Sequence, residues 1–299
     1  MNTPSHSPAR ADAARVALVT CAELPDLYDD DQLVIPALEK LGVTAEPVVW
    51  DAPGVDWSAF DLVVLRSPWD YSPRRDEFVA WAKTIARLAN RADVVEWNTD
   101  KRYLAELAAA GIPVIPTTFV APTDMWLPPT AEGEYVIKPA ISAGSRDTGR
   151  YGPADTELAI AHLGRLQRDG RVVMVQPYLP AVDTYGETAL LYFADPGSGR
   201  LIFSHAIRKG PMLDGPDGEV ILFKPEKITP RVPSEAELAV GDAVLSVLPT
   251  GLLYARVDLI PDPEGNPLLV EVELTEPSLF FQEGPGSADR FAASIAAAL

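Results

Sequence analysis

The apolar run between Asp61 and Arg66 constrains the fold of this chain more than any other segment. Consecutive side chains of a strand point to opposite faces, so a strand built from these residues is apolar on both. Such strands lie buried between helices in parallel sheets. Apolar runs and amphipathic stretches alternate around this segment, as in a βαβ unit: Val16–Thr20, Asp31–Leu41, Val48–Trp50, Leu62–Leu65, Glu77–Asn90 and Val94–Val95.

The remainder of the chain predicts a mixed organisation, so the fold class is α/β in the first part and α+β in the C-terminal part. A capped helix starts at Lys101 and ends at Gly111. The further predicted elements are strands over residues 114–120, 135–139 and 172–176, a helix over 157–168, and hairpins over 188–208 and 254–273. The predicted divisions are a disordered leader (1–14), a βαβ domain (15–97), a central subdomain (98–178) and a C-terminal subdomain (179–299).

The second hairpin has a register that can be worked out. If Asp258 lies opposite Glu271, then Arg256 lies opposite Glu273, and Ile260 opposite Leu269. The period of two then places the four charged side chains on one face. Facing carboxylates repel each other unless a cation lies between them, and Mg²⁺ prefers oxygen ligands. The alternative is a solvated strand face with an Arg–Glu cross-strand pair.

A second group of candidates surrounds Lys138, which lies in an apolar strand where a buried ammonium needs a partner. A bound phosphate would supply that partner, and the backbone of Ser142–Ser145 could wrap around the same anion. The alternative is a lysine that reaches solvent from an edge strand. The loop lacks the Lys-Ser/Thr pair of a P-loop, because Arg150 and Tyr151 stand there.

Two further segments carry weaker signals. The strand end Gln176–Pro180, followed by Asp183, could hold a purine edge and ribose hydroxyls, or it could be an ordinary turn. His205, Arg208 and Lys209 form a basic trio in an acidic chain, which favours an anion site or an exposed strand face.

The charge and the apolar pattern exclude several functions. The formal net charge of -18 disfavours nucleic acid and acidic lipid surfaces as partners. The one cysteine and three histidines form no zinc spacing. Since no apolar run has the length of a membrane span and no signal peptide is recognisable, we expect a soluble, cytoplasmic protein. A homo-oligomer is expected on general grounds alone.

Taken in chain order, these segments resemble the ATP-grasp superfamily of carboxylate ligases over residues 98–280, and the first unit resembles the domain that precedes it there. The resemblance implies two ATP-grasp subdomains with the nucleotide between them, and ATP and Mg²⁺ as cofactors. The implied nucleotide ligands are Lys101 and Lys138 on phosphates, Ser142, Gly144 and Ser145 in the closing loop, Gln176, Tyr178 and Leu179 on adenine, and Asp183 on ribose.

The same resemblance implies that Asp258, Glu271 and the position two further on bind the metal. The family usually has Asn at that last position, where this chain has Glu273. Glu273 therefore either binds metal or pairs with Arg256.

A narrower resemblance, in Leu65–Tyr71, Gly186–Thr188 and Ser204–Lys209, is to cyclo-ligases that convert O-ureido-D-serine to D-cycloserine. It implies activation of a small amino acid's carboxylate as an acyl phosphate, assisted by Lys138 and Arg256, and ring closure by nitrogen. The predicted substrate contacts are Arg66, Ser67, Tyr71, His205, Arg208, Glu276 and Ser278. The alternatives are a ligase that joins two amino acids and a regulator that binds ATP without turnover.

Overall fold

The computed structural model of the chain describes residues 13–129, 133–213, 215–216 and 227–299. Most of the predicted leader at residues 1–14 lies outside these ranges. Among the helices described, none has the length and apolar character needed to cross a bilayer.

The first unit has the predicted βαβ pattern, and its four strands form a parallel sheet in the order β2-β1-β3-β4. Every residue of β3 is buried, as its two-faced apolar pattern requires. The elements are β1 (Arg15–Thr20), α1 (Val34–Glu39), β2 (Thr44–Val49), β3 (Leu62–Ser67), α2 (Arg75–Ala82), β4 (Leu88–Ala89) and α3 (Ala92–Asn98).

Two predicted elements of this unit are wrong. The stretch Glu77–Asn90 is a helix only as far as Ala82, and its end is the short strand β4. Val94 and Val95, predicted as a strand, lie in α3. Both valines are buried, but they pack into two different apolar clusters on either side of the helix. An adjacent pair of buried β-branched residues therefore looks like a strand in the sequence.

The central part forms an antiparallel sheet in the order β5-β8-β6-β7. Helix α5 buries Ala159, Leu163 and Leu166 in one cluster with residues of β6, β7 and β8. The elements are α4 (Tyr103–Ala109), β5 (Thr118–Val120), β6 (Tyr135–Pro139), β7 (Gly149–Tyr151), α5 (Thr156–Arg168) and β8 (Val173–Pro177).

The C-terminal part forms a five-stranded antiparallel sheet in the order β11-β10-β9-β12-β13. The elements are α6 (Ala181–Thr184), β9 (Glu187–Ala194), β10 (Leu201–Lys209), β11 (Ile228–Arg231), α7 (Glu235–Val247), β12 (Tyr254–Pro261), β13 (Pro267–Glu273) and α8 (Ser287–Ala297). Phe291 and Ile295 of α8 belong to one apolar cluster with Leu191 of β9 and Val64 of β3. This cluster joins the C-terminal sheet to the first unit.

The β12–β13 hairpin confirms the predicted pairs at its charged end and corrects the rest. Asp258 lies opposite Glu271, and Arg256 lies opposite Glu273. The register then shifts, so that Ile260 pairs with Leu268 and not with Leu269. A β-bulge gives one strand an extra residue and cannot be read from alternation alone.

The outer edge of β13 is held by side chains of the preceding helices. Asn98 donates to the Val272 carbonyl at 2.7 Å and accepts from the Leu274 N–H at 2.7 Å. The Tyr103 hydroxyl both donates to and accepts from the backbone of Val272, at 2.8 and 2.9 Å. These bonds fix the charged strand against the turn that carries Lys101.

Candidate active site

A cavity of about 460 Å³ lies between the central and C-terminal antiparallel sheets. One wall comes from β6 and β8, and the other comes from β9, β10, β12 and β13. Most of the predicted site residues line it: Tyr71, Lys101, Lys138, Ser142, Gly144, Ser145, Gln176, Tyr178, Leu179, Arg256, Glu271, Glu273, Glu276 and Ser278.

The predicted metal ligands form one cluster. Asp258, Glu271 and Glu273 each offer a carboxylate oxygen, and these oxygens lie within 4.8 Å of one another. Asp258 is fully buried behind the cavity wall, and the two glutamates are half-buried. Three carboxylates at this spacing have the donor chemistry that Mg²⁺ prefers, so the residues present fit a divalent cation.

Basic side chains neutralise this cluster. Arg256 donates to Asp258 with Nε–Oδ1 at 2.9 Å and also binds Glu273. Lys101 Nζ lies 3.4 Å from the Glu271 carboxylate. Burial would raise the pKa of Glu271, but the charges of Lys101, Lys138 and other bases outweigh it and lower that pKa. The basic side chains thus hold Glu271 ionised within a mixed-charge network.

Glu273, whose role the sequence left open, pairs with Arg256 in this structure. Its carboxylate also lies within reach of a cation shared with Asp258 and Glu271. The pKa of Glu273 is raised. Burial is the largest cause, and it outweighs the lowering effect of the Arg256 charge.

Lys138 extends from β6 into the same cavity. Among the described residues, no carboxylate lies within 4 Å of its Nζ, and no acceptor takes a hydrogen bond from it. Burial is the largest cause of its lowered pKa. An anion entering the cavity would find this ammonium desolvated and unpaired, which strengthens their attraction.

Lys101 is fixed from both ends. Its backbone N–H donates to the Ala140 carbonyl at 2.8 Å, and its Nζ donates to the Ser142 carbonyl at 2.9 Å. The lysine therefore connects the carboxylate cluster to the start of the loop after β6.

That loop, residues 142–149, is here called the glycine loop, and residues 142–145 and Thr148 line the cavity. Gly144 adopts φ +60°, which glycine tolerates without strain, whereas Ser145 and Asp147 both adopt φ +55°. Asp147 is held by Arg165 of α5, with Nη1–Oδ1 at 3.0 Å, and by Arg171.

At the other end of the cavity, Gln176, Tyr178 and Leu179 lie at the end of β8, as predicted. Gln176 donates to the Thr117 hydroxyl at 2.8 Å. The apolar residues Val136, Val182, Met212 and Ile260 also line the cavity. The combination forms a slot that suits a flat aromatic ring.

Asp183 does not line the cavity. Its carboxylate accepts a hydrogen bond from the Tyr178 hydroxyl at 2.5 Å and lies 3.5 Å from Arg150 Nη1. The guanidinium of Arg150 also lies over the Tyr178 ring, 3.6 Å from its centroid. These contacts place Asp183 behind Tyr178, so the predicted ribose contact is not supported.

The predicted substrate residues divide into two groups. Tyr71, Glu276 and Ser278 line the cavity beside Arg256. Burial is the largest cause of the pKa of Glu276 being raised to about 7, and the nearby Tyr71 hydroxyl opposes that rise. The indole of Trp69 donates to the Glu276 carbonyl at 3.1 Å.

The other four predicted substrate residues do not line the cavity, because their polar groups bind the protein itself. Arg66 pairs with Asp31, and the Ser67 and Thr20 hydroxyls are hydrogen-bonded. His205 contacts the Leu279 carbonyl at 3.0 Å through Nε2. Arg208 donates to the carbonyls of residues 184 and 185.

Sequence reasoning did not assign Glu187 to the site and named Lys209 only as part of the basic trio with His205 and Arg208. Glu187 and Lys209 line the cavity, and they pair directly across the β9–β10 ladder. Lys209 binds Glu187 and lies 3.1 Å from the buried Asp258 carboxylate. Burial raises the pKa of Glu187 to about 8. This pair could have been predicted by extending the antiparallel pairing of the first hairpin as far as Glu187 and Lys209.

Comparisons with known proteins show which proteins this chain is similar to. Residues 16–90 match the family model of the D-cycloserine synthetase DcsG N-terminal domain. The chain is 40% identical to the cycloserine biosynthesis protein DcsG of Streptomyces lavendulae, with 94% of this chain and 97% of the relative covered.

The chain is also similar to DcsG and to an ATP-grasp protein among solved structures. The crystal structure of D-cycloserine synthetase DcsG matches with a TM-score of 0.83 at 39% identity, covering 95% of this chain and 99% of that one. An ATP-grasp RimK domain protein from Sphaerobacter thermophilus matches with a TM-score of 0.61 at 19% identity, covering 95% and 98% of the two chains.

The fold, the cavity between two antiparallel sheets and these similarities define an ATP-dependent ligase of the ATP-grasp class. Within that class, the chain belongs to the D-cycloserine synthetase DcsG family. The predicted fold class is therefore confirmed, whereas the domain boundaries and residue roles remain predictions.

Proposed function

We propose that the protein converts O-ureido-D-serine to D-cycloserine. ATP and water are consumed, and ADP, phosphate, CO₂ and ammonia are released. Two relatives support this product: a cycloserine biosynthesis protein and a D-cycloserine synthetase, at 40% and 39% identity.

The observation that carries the proposal is the unpaired Lys138 in a cavity that is also lined by Arg256, Glu271 and Glu273, two of the three carboxylates in the cluster with Asp258. A desolvated ammonium beside a cation site favours a polyphosphate, because transfer of a phosphoryl group depends mostly on positioning and on neutralising charge. Lys101 and Lys138 would bind the nucleotide phosphates. Mg²⁺ held by the three carboxylates would neutralise further phosphate charge when bound.

The rest of the nucleotide fits the opposite end of the cavity. The adenine ring would occupy the slot formed by Gln176, Tyr178 and Leu179. Backbone N–H groups of the glycine loop, at Ser142, Gly144 and Ser145, would face the phosphates. The loop would also exclude water from a reactive acyl phosphate.

The chemistry then takes place beside Arg256. The substrate carboxylate attacks the γ-phosphorus, and ADP leaves. The ureido nitrogen bonded to the side-chain oxygen next attacks the carboxyl carbon; it loses its proton, and phosphate leaves as the five-membered ring closes. Water finally cleaves the bond between that nitrogen and the carbamoyl carbon, giving CO₂ and ammonia. Arg256 would stabilise the acyl phosphate and the tetrahedral oxyanion.

The test is phosphate release that depends on ATP and Mg²⁺, measured with O-ureido-D-serine and separately with pairs of amino acids. We expect release with the ureido substrate alone and a product with the mass of D-cycloserine. Lys138→Gln should abolish release, whereas Lys83→Gln, at an exposed lysine, should not change it. Release only with paired amino acids, or ATP binding without release, would overturn the proposal.

A further inference from the structure

The charges that line the cavity are paired with one another at most positions. Glu187 binds Lys209, Glu271 lies 3.4 Å from Lys101, and Glu273 binds Arg256. Each of these carboxylates therefore has its counter-charge within the protein.

Glu276 differs from the other carboxylates of this wall. In the described part of the chain, no Lys, Arg or His nitrogen lies within 4 Å of its carboxylate. The neighbouring Tyr71 hydroxyl is a neutral group, and it lowers the pKa of Glu276 without supplying a counter-charge. A half-buried carboxylate that faces a cavity without a counter-ion attracts a cationic ligand.

The position of Glu276 is fixed by the first unit. Trp69 donates from its indole to the Glu276 carbonyl at 3.1 Å, and Arg66 donates to the next carbonyl, that of Pro277. Arg256 Nη1 also donates to the Ser278 carbonyl at 3.3 Å. The segment that carries Glu276 therefore lies directly beside the guanidinium that would face the reacting carboxyl group.

We infer that the carboxylate of Glu276 binds the α-ammonium group of the amino-acid substrate, an inference that rests on the proposed function. The ammonium and the carboxylate of an α-amino acid are attached to one carbon. A group that binds the first must therefore lie beside the group that activates the second, as Glu276 does beside Arg256. Tyr71 is a positioning residue, because its hydroxyl favours the charged form of the Glu276 carboxylate without touching the substrate's reacting atoms.

The test compares O-ureido-D-serine with its desamino analogue, 3-(ureidooxy)propanoate. In the wild-type enzyme, kcat/KM should be about 100-fold lower with the analogue, because a desolvated charge pair is lost. Glu276→Gln should lower kcat/KM for the amino substrate by a similar factor, mainly through KM. The same variant should remove most of the discrimination against the analogue and leave the KM for ATP unchanged.

Two further variants complete the design. Glu264→Gln, in the exposed β12–β13 turn, is the matched control and should behave as wild type. Tyr71→Phe should raise the KM for the amino substrate several-fold and keep the discrimination. Circular dichroism and thermal melting establish that each variant is folded.

The outcomes separate the two proposals. Wild-type enzyme that uses both compounds equally well would overturn the inference without any variant. An equal fall in kcat with both compounds in the Glu276→Gln variant would also overturn the inference, because that pattern indicates a group that transfers a proton. Wild-type enzyme that releases no phosphate with O-ureido-D-serine would overturn the proposed function, and the inference with it.

Discussion

Asp147 of the glycine loop forms an ion pair with Arg171, which lies just before β8. The same arginine donates to the Ile141 carbonyl at 3.0 Å, so it holds both sides of the loop. Asp147 is largely buried, and Arg165 binds its second oxygen at 3.0 Å. The loop that faces the proposed phosphate site is therefore anchored outside the cavity.

Asp147→Asn should loosen this loop without unfolding the protein. Loss of the charge weakens two charge-assisted hydrogen bonds, and we expect kcat/KM for ATP to fall about tenfold. Steady-state kinetics at varied ATP concentration measures the effect. Asp169→Asn, at an exposed position at the end of α5, serves as the control. Equal kinetics in both variants would show that the anchor has no role in turnover.

Glu271→Gln should weaken binding of the divalent cation. The substitution removes one of three clustered carboxylate charges, so the Mg²⁺ concentration that gives half-maximal activity should rise by about tenfold or more. Titration of activity with Mg²⁺ measures this change, with Glu264→Gln as the control. A titration curve identical to that of wild type would show that Glu271 does not bind the cation, and that the charged face of the hairpin is an ordinary solvated strand face.

Arg66→Met should destabilise the protein strongly. Arg66 and Asp31 form a fully buried ion pair, with Nε–Oδ1 at 3.0 Å. Removing one partner leaves a buried unpaired charge, which costs about 3–5 kcal/mol in the free energy of unfolding. Urea denaturation measures the loss.

The exposed pair between Lys40 and Asp289 supplies the comparison for this effect. Lys40→Met should change the free energy of unfolding by less than about 1 kcal/mol. The double variant Arg66→Met/Asp31→Leu should recover part of the loss, since no charge then remains buried. A double variant as unstable as the single one would locate the effect in the Arg66 bond to Pro277.

His205 predicts a specific dependence of stability on pH. Burial lowers its pKa from 6.5 to about 4, so the folded protein favours the neutral ring. Its contribution to stability is complete above pH 6.5 and is lost as the pH falls through this range to about 4. The loss should reach about 3 kcal/mol at pH 4.

The variant His205→Gln removes this titration. Its free energy of unfolding should fall less steeply than that of wild type between pH 6.5 and pH 4, as measured by urea denaturation at several pH values. Parallel curves would contradict a buried neutral histidine.

The sequence was most informative where alternation alone determines position. The facing pairs of Asp258 with Glu271 and of Arg256 with Glu273 follow from a period of two, and the structure has them. The shift beyond Asp258 does not follow, because any residue type can occupy the extra position of such a bulge. The pairing of Ile260 was therefore predicted one residue out.

Side-chain direction at the ends of strands was less predictable. Arg66 and Tyr71 flank the same loop, yet only Tyr71 lines the cavity, because the side chain of Arg66 forms an ion pair with Asp31 outside it. Asp31 is 35 residues away in sequence, and no local pattern connects the two. Likewise, His205 is directed by the Leu279 carbonyl, which becomes its neighbour only after folding.

The bonds along the outer side of β13 have a consequence for association between chains. A strand at the border of a sheet normally presents free N–H and C=O groups on which another molecule can add a strand. Here Leu269 exchanges bonds with the backbone at residues 113 and 115, and Val272 and Leu274 are bound by Tyr103 and Asn98. The strand that carries Glu271 and Glu273 is thereby protected from intermolecular strand addition, and so from one route to aggregation.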